Sequence, residues 1–365
     1  MSKQSLIFIS ALFWFSVNLN ADVITDGSLG TRIELPGLDY KIGAELGQQH
    51  GGNLFHSFET FNLNANESAT FSAGVDSGIQ NVFSRVTGEN PSQIDGLIRS
   101  TILNADMYFL NPYGIMFGPN ARLNVQGSFY ASTANYLRLG NGGRFDALNP
   151  NDSLLTVAPV EAFGFLEQSE KIEIQDSLLE TPVGKTLSLI GGNISIEDGV
   201  LSAKSGRINL ASVASAGEVI LTPDALQVTA IEKGKIEIVQ SSASKWKLNN
   251  ETPEGIISKP FGNLDVSDVQ GIGGGQIFIR SGQLFLDNAL ILADITGDMS
   301  SHINVEVDGD IKLTRGAKIS IGRIAPNAAE DLGSSDQRSS TIAVPVCIKY
   351  NFRGNVESSF VHLKE

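Results

Sequence analysis

Short alternating strands recur along the second half of this chain at a nearly fixed interval. That recurrence restricts the fold more than any other feature. Strands opening at Ile277, Leu284 and Ile291 start seven residues apart, and the dyads Val305/Val307, Ile311/Leu313 and Ile319/Ile321 follow six to eight apart. Alternate side chains of a strand face opposite ways, so each dyad puts two apolar residues on one face. A glycine-containing turn comes first in Gly192-Asn193-Ile194-Ser195-Ile196, Gly206-Arg207-Ile208-Asn209-Leu210, Gly234-Lys235-Ile236-Glu237-Ile238 and Gly275-Gln276-Ile277-Phe278-Ile279. Three such strands make a turn of about 21 residues, inside the range of solenoid repeats. The pattern predicts an all-β chain: a right-handed parallel β-helix of triangular section.

The first half uses the same grammar with more aromatic residues. In Leu103 to Ala134, apolar bursts at Met107–Leu110 and at residues 115–117 are split by Asn111-Pro112-Tyr113-Gly114, and Gly118-Pro119-Asn120 follows. Proline fixes φ and glycine supplies φ > 0, so both are turns. Asn90 to Gly96 reads as a further turn, and the strand pattern continues through Tyr136-Leu137-Arg138-Leu139. In residues 54–61, Leu54, His56, Phe58 and Thr60 point one way and Phe55, Ser57, Glu59 and Phe61 the other. Aromatic residues on both sides imply a strand covered on both faces. A β-helix ends in open sheet edges, so the aromatic region before residue 100 is the candidate N-terminal cap.

The 38 Gly against four Met and four His agree with turn-rich β structure. With net charge −14 and no cluster of Lys or Arg, nucleic acid is not an expected partner. One cysteine, Cys347, excludes an intramolecular disulfide framework and a multi-cysteine metal site. Residues 1–21 read as a secretory signal peptide: Lys3, an apolar run from Leu6 to Val17, and Ala21 before the cut. The competing reading is an uncleaved anchor, but the run is shorter than the roughly 18–20 residues a spanning helix needs. No later stretch is apolar enough to span, so no stable membrane span is expected. The chain divides into the signal peptide (1–21), an aromatic-rich N-terminal domain (22–167), β-helix repeats (168–326) and an irregular C-terminal segment (327–365). Within the repeats, Ser241 to Lys259 lacks dyads and reads as a loop.

Candidate chemistry is sparse. His50 and His56, with Glu45 and Glu59, invite a metal reading, but nothing else converges on them in sequence. The Gly-rich turns do not repeat the G-G-x-G-x-D pattern of a calcium β-roll. Asp294, Asp298, Asp308 and Asp310 with Arg280 and Arg315 are the only material for a glycosidase-like or lyase-like site, and turn Asp is their ordinary explanation. No catalytic residue, cofactor or metal ligand is expected.

Several segments, in order, carry a family likeness: Leu54-Phe55-His56-Ser57-Phe58, Val82-Phe83-Ser84-Arg85-Val86-Thr87-Gly88, Asn90 to Gly96, Phe109 to Ile115, Phe117 to Ala121 and Gly127 to Ala134. In these the chain resembles the N-terminal secretion domain of filamentous-haemagglutinin-type exoproteins, passengers of two-partner secretion in Gram-negative bacteria. The resemblance implies export through the periplasm and recognition by an outer-membrane β-barrel transporter with periplasmic polypeptide-transport-associated domains. The family's Asn-Pro-Asn-Gly motif falls on Asn111, Pro112, Tyr113 and Gly114, and Tyr113 departs from it. Asn104-Ala105-Asp106 stands where relatives carry a Gly-containing turn, and the companion Asn-Pro-Asn-Leu motif has no match. The expected function is that of a secreted, non-enzymatic exoprotein with an adhesin-like surface role toward a host or cell-surface ligand. The alternative is a β-helix carbohydrate-active enzyme, a polysaccharide lyase or hydrolase.

Overall fold

The computed structural model describes residues 22–242, 262–268, 273–296, 301–321, 323–324 and 347–350. The expected signal peptide, most of the 241–259 loop and nearly all of the C-terminal segment lie outside them.

The described chain winds a three-walled parallel β-helix. The longest wall stacks Asn53–Phe61, Asn81–Val86, Asp106–Leu110, Phe129–Ser132, Thr186–Gly191, Arg207–Ser212, Gln276–Ser281, His302–Val307 and Cys347–Tyr350 in parallel. The second wall runs from Ser92–Ile94 through Ile115–Phe117, Ile172–Gln175, Ile194–Glu197, Lys235–Val239 and Gln283–Asp287 to Ile311–Thr314. The third comprises a four-stranded sheet ending in Arg122–Asn124 and a five-stranded sheet beginning with Leu178–Glu180, and those two strands lie against each other. Thr186 pairs with Arg207, a step of 21 residues, as the dyad spacing predicts. The dyads starting at Ile277, Leu284 and Ile291 fall on the three walls in turn.

Register explains the core. Leu187, Ile208, Ile277 and Ile303 stack in line on the long wall, as do Leu189, Leu210, Ile279 and Val305, and all are buried in one continuous interior cluster. Each such side chain contributes about 1.5–3 kcal/mol relative to exposure, and rung energies add along the axis. Ser92–Ile94 shows how short a rung can be. Three residues with a buried-half-buried-buried pattern make a strand inside the segment that reads as a turn.

Two segments leave the coil. Tyr136–Leu139, Gly143–Asp146 and Val160–Phe165 form an antiparallel sheet with the hairpin Gly217–Thr222 and Ala225–Val228. The sequence pattern runs on through Tyr136–Leu139 as another rung, but the structure sends it outward. The reason is the outer face of the long wall. Phe55, Phe83, Tyr108 and Tyr130 occupy consecutive coils there, with ring centroids 4.8, 4.8 and 4.4 Å apart, the spacing of neighbouring strands. This apolar ladder must be covered, and Leu137, Leu139, Phe145, Phe163, Val219 and Leu226 of the added sheet cover it. The two-faced reading of residues 54–61 therefore holds, with one exception. Thr25 pairs with Phe58 while Ile24 pairs with Thr60, so a bulge at Glu59 returns Phe61 to the side of Phe58.

The N-terminal edge of the long wall is capped. Val23–Thr25 and Gln48–His50 pair antiparallel with Asn53–Phe61, and the single-turn 3-10 helix Ala44–Leu46 packs against the interior cluster. Among the described residues no helix is long and apolar enough to cross a membrane.

Candidate functional site

The Asn111-Pro112-Tyr113-Gly114 turn joins the long wall to the second wall. The Gly114 amide donates to the Asn111 carbonyl at 3.1 Å, closing a β-turn with Pro112 at its second position. Proline presets φ there, and asparagine leads the turn because its side chain can bind the backbone two residues on. The Tyr113 amide makes that bond, donating to Asn111 Oδ1 at 2.9 Å.

Asn111 is fully buried. Its Nδ2 donates to the Asn90 carbonyl and to Ser92 Oγ, both at 3.0 Å, and its backbone amide donates to the Ser132 carbonyl at 3.0 Å. One residue thus fastens its own coil to the coils on either side. Gly114 has φ +115°, where a side chain is strained, although a Cβ would meet nothing closer than Pro91 Cβ at 3.4 Å. Gly114→Ala is expected to cost about 1–3 kcal/mol through backbone strain, read from the shift of a urea midpoint.

Tyr113 is different. It is half-buried, and its φ is not among the positive ones, so the turn accepts L-residues other than proline there. Burial raises the phenol pKa, and the Glu89 and Glu167 carboxylates raise it further. Of the four motif residues, Tyr113 is the one whose side chain reaches the surface, while Asn111, Pro112 and Gly114 are buried.

The neighbouring corners follow the same logic. Asn104 has φ +57°, so asparagine occupies a left-handed position that it tolerates better than other side chains. Asn104→Val is expected to destabilise by about 1–2 kcal/mol and Asn104→Gly to be near neutral, measured in the same urea assay. At the next turn, Asp95 accepts from the Asn120 amide at 2.7 Å and from its Nδ2 at 2.9 Å.

The metal candidates do not gather. Glu59 is held by Arg32, and His56 is buried with Nε2 3.1 Å from the Gly43 carbonyl. Among the described residues no group of three His, Cys, Asp or Glu could hold an ion. Two of the residues weighed for hydrolysis, Arg280 and Asp308, share one chain of ion pairs, since Glu306 lies 3.4 Å from Arg280 and 3.7 Å from Lys233. Asp308 binds Lys233 at 2.8 Å, and Arg315 binds Asp287 at 2.6 Å. Arg280 donates to the Leu226 and Asn304 carbonyls, and Asp298 lies outside the described residues. A cavity of about 280 Å³ between the long wall and the added sheet is lined by Tyr108, Tyr130, Arg207, Asn209 and Pro223 among others, with no carboxylate.

Sequence reasoning missed Arg85. It was visible only as one residue of a motif, yet it is the largest fully buried side chain among the described residues. Its Nε donates to Ser57 Oγ (2.7 Å), Nη1 to the Asp146 carbonyl (2.5 Å) and Ser153 Oγ (2.6 Å), and Nη2 to Ser28 Oγ (2.9 Å). The guanidinium lies 4.6 Å from the centre of the Phe145 ring. A charged residue inside an apolar strand was the available signal.

A family model described as TPS secretion domain matches residues 21–259, more than half of the chain. The chain belongs to the TPS secretion domain family. It is a two-partner secretion exoprotein, and its family is one of secretion domains rather than enzymes. Membership implies an outer-membrane transporter as partner and secretion by way of the periplasm. Among solved structures, the chain is similar to the HMW1 secretion domain from Haemophilus influenzae. The identity is 18%, the TM-score 0.46, and the match covers 93% of this chain and 82% of that one. It is also similar to the filamentous hemagglutinin secretion domain, at 15% identity and TM-score 0.37, over 84% of this chain and 97% of that one. No curated protein matches the chain. The TPS match includes the Asn111–Gly114 corner and runs through both segments that form the added sheet.

Proposed function

We propose that periplasmic polypeptide-transport-associated domains of the partner transporter read the N-terminal part of this β-helix, residues 22–167, and that the repeats of 168–326 travel behind it as passenger. The family match over residues 21–259 supports recognition of this chain by a transporter; it runs on past residue 167, so the division there rests on where the dyad repeats begin. The Asn111–Gly114 corner serves it in two ways. Asn111 and Gly114 hold the rung, and Tyr113 offers a half-exposed ring to the partner. Rung stacking outside the cell favours onward movement, because each coil added to a folded stack gains nearest-neighbour energy. Once outside, the long flat polar faces of the solenoid suit an adhesin-like role toward a cell-surface ligand.

Tyr113→Asn separates the two contributions of the corner. The turn does not depend on this side chain, so stability should move by less than about 0.5 kcal/mol. If the transporter contacts residue 113 as the family motif implies, restoring Asn should raise the amount of exoprotein in the medium. Unchanged export would remove the side chain from recognition and leave the corner a structural turn.

A further inference from the structure

We infer that the N-terminal cap is acid-labile, with His56 as its trigger: protonation of this one ring, enclosed in the mouth of the β-helix, releases the Ala44–His50 cap while the coils beyond stay folded.

The geometry is specific. His56 is 1% exposed and belongs to the inward face of Asn53–Phe61, between Leu54 and Phe58. Its ring lies 5.5 Å from that of Phe71 and 6.2 Å from that of Phe58. Nε2 sits 3.1 Å from the Gly43 carbonyl, at the start of the cap turn, and so donates there. Nδ1 is buried with no hydrogen-bond partner. The ring is therefore suited to the neutral state, with one donor used and one bare acceptor in apolar surroundings. A proton on Nδ1 would place a charged donor where nothing accepts it.

The groups around the ring cannot balance that charge. Ser84 stands beside His56 in register on the next coil, and its Oγ is also without a partner, but a hydroxyl carries no charge. Phe58 on the same strand and Phe71 on the third wall present carbon. Glu45 on the cap turn is the charged group whose field reaches the ring, and it is exposed to solvent. Burial dominates, Glu45 and the Gly43 hydrogen bond oppose it, and the imidazole pKa falls from 6.5 to about 4.

The direction of the effect follows from linkage. A histidine whose folded pKa is depressed binds its proton more readily in the open state. The cap is fully held above the open-state pKa near 6.5, and the hold is lost as pH falls from there toward 4. Within that window each pH unit favours opening by up to about tenfold. The cap is the element that yields. Its turn touches the ring directly, since a Cβ on Gly47 would sit 3.0 Å from the His56 ring, and it joins the rest through the short Gln48–His50 pairing. Among the described residues the coils beyond hold no buried histidine, and their buried Lys204 and Asp265 are paired with each other.

Amide hydrogen exchange on the mature chain tests this, with rates corrected for intrinsic pH dependence. Between pH 6.5 and 4.5, residues 43–56 should lose at least tenfold in protection, while 187–190 and 208–211 should not change. His56→Gln keeps a donor for Gly43 and cannot titrate, so its protection should be flat across the window. An equal loss in His56→Gln would assign the effect to carboxylates and overturn the inference. Should that variant not fold, the His56 ring proton shifts of the wild-type chain decide directly: a midpoint below 5 is expected, and a midpoint of 6 or above would overturn it.

Discussion

Arg85→Leu should lower the stability of the mature chain by about 3–5 kcal/mol, the cost of removing one partner from a buried charged network. Arg85 binds the cap through Ser28 and the added sheet through the Asp146 carbonyl and Ser153, while its own strand lies in the long wall. It also meets Ser57, which donates to Asp26 at 2.5 Å. Burial draws the guanidinium pKa down to about 10, still far above neutrality, and the Asp26 and Asp146 charges support the cation. Leucine would fill part of the volume but leave Ser28, Ser57, Ser153 and the Asp146 carbonyl short of a donor. Arg85→Lys should recover only part of the loss, because an ammonium group cannot reach all four acceptors in the plane of a guanidinium fork. Urea unfolding of the three proteins measures this. A wild-type midpoint for Arg85→Leu would mean that cap, wall and added sheet are not joined through this residue.

Asn111→Ala should cost about 2–4 kcal/mol, because three side-chain hydrogen bonds disappear at a fully buried site and their partners are left enclosed. The comparison with Tyr113→Asn is the informative part. The two positions are two residues apart in one motif, yet one side chain ties its turn to the preceding coil and the other faces outward. Export should follow the same division. Asn111→Ala should reduce the amount of folded exoprotein reaching the medium, and the loss should track its urea midpoint. A stable Asn111→Ala protein would contradict the assignment of Asn111 as a fastening between coils.

Much of the fold could be read from the residues because a β-helix writes its geometry locally. Each rung needs a turn and an apolar dyad, so Gly206-Arg207-Ile208-Asn209-Leu210 and Gly275-Gln276-Ile277-Phe278-Ile279 identify themselves, and their separation sets the coil. The added sheet was not legible for the opposite reason. Tyr136–Leu139 alternates like any rung, and its neighbours are decided by pairings such as Phe163 with Val219, 56 residues apart in sequence. The bulge beside Phe61 depends on the partner strand Val23–Thr25, which alternation within residues 54–61 cannot register. At the candidate site the turn was legible from Asn111, Pro112 and Gly114. Its division into buried and exposed side chains was not, because that depends on Asn90 and Ser92 in the preceding coil. Arg85 and His56 were hidden for a related reason: a polar residue within an apolar strand looks the same on paper whether it faces solvent or the core.

The central claim, that a partner transporter carries this chain across the outer membrane, is tested most directly by expressing the full chain in a Gram-negative host with and without its cognate transporter and measuring the mature protein in the medium and in the periplasm. The account predicts release to the medium only when the transporter is present, with periplasmic retention otherwise. Equal release in its absence would contradict it.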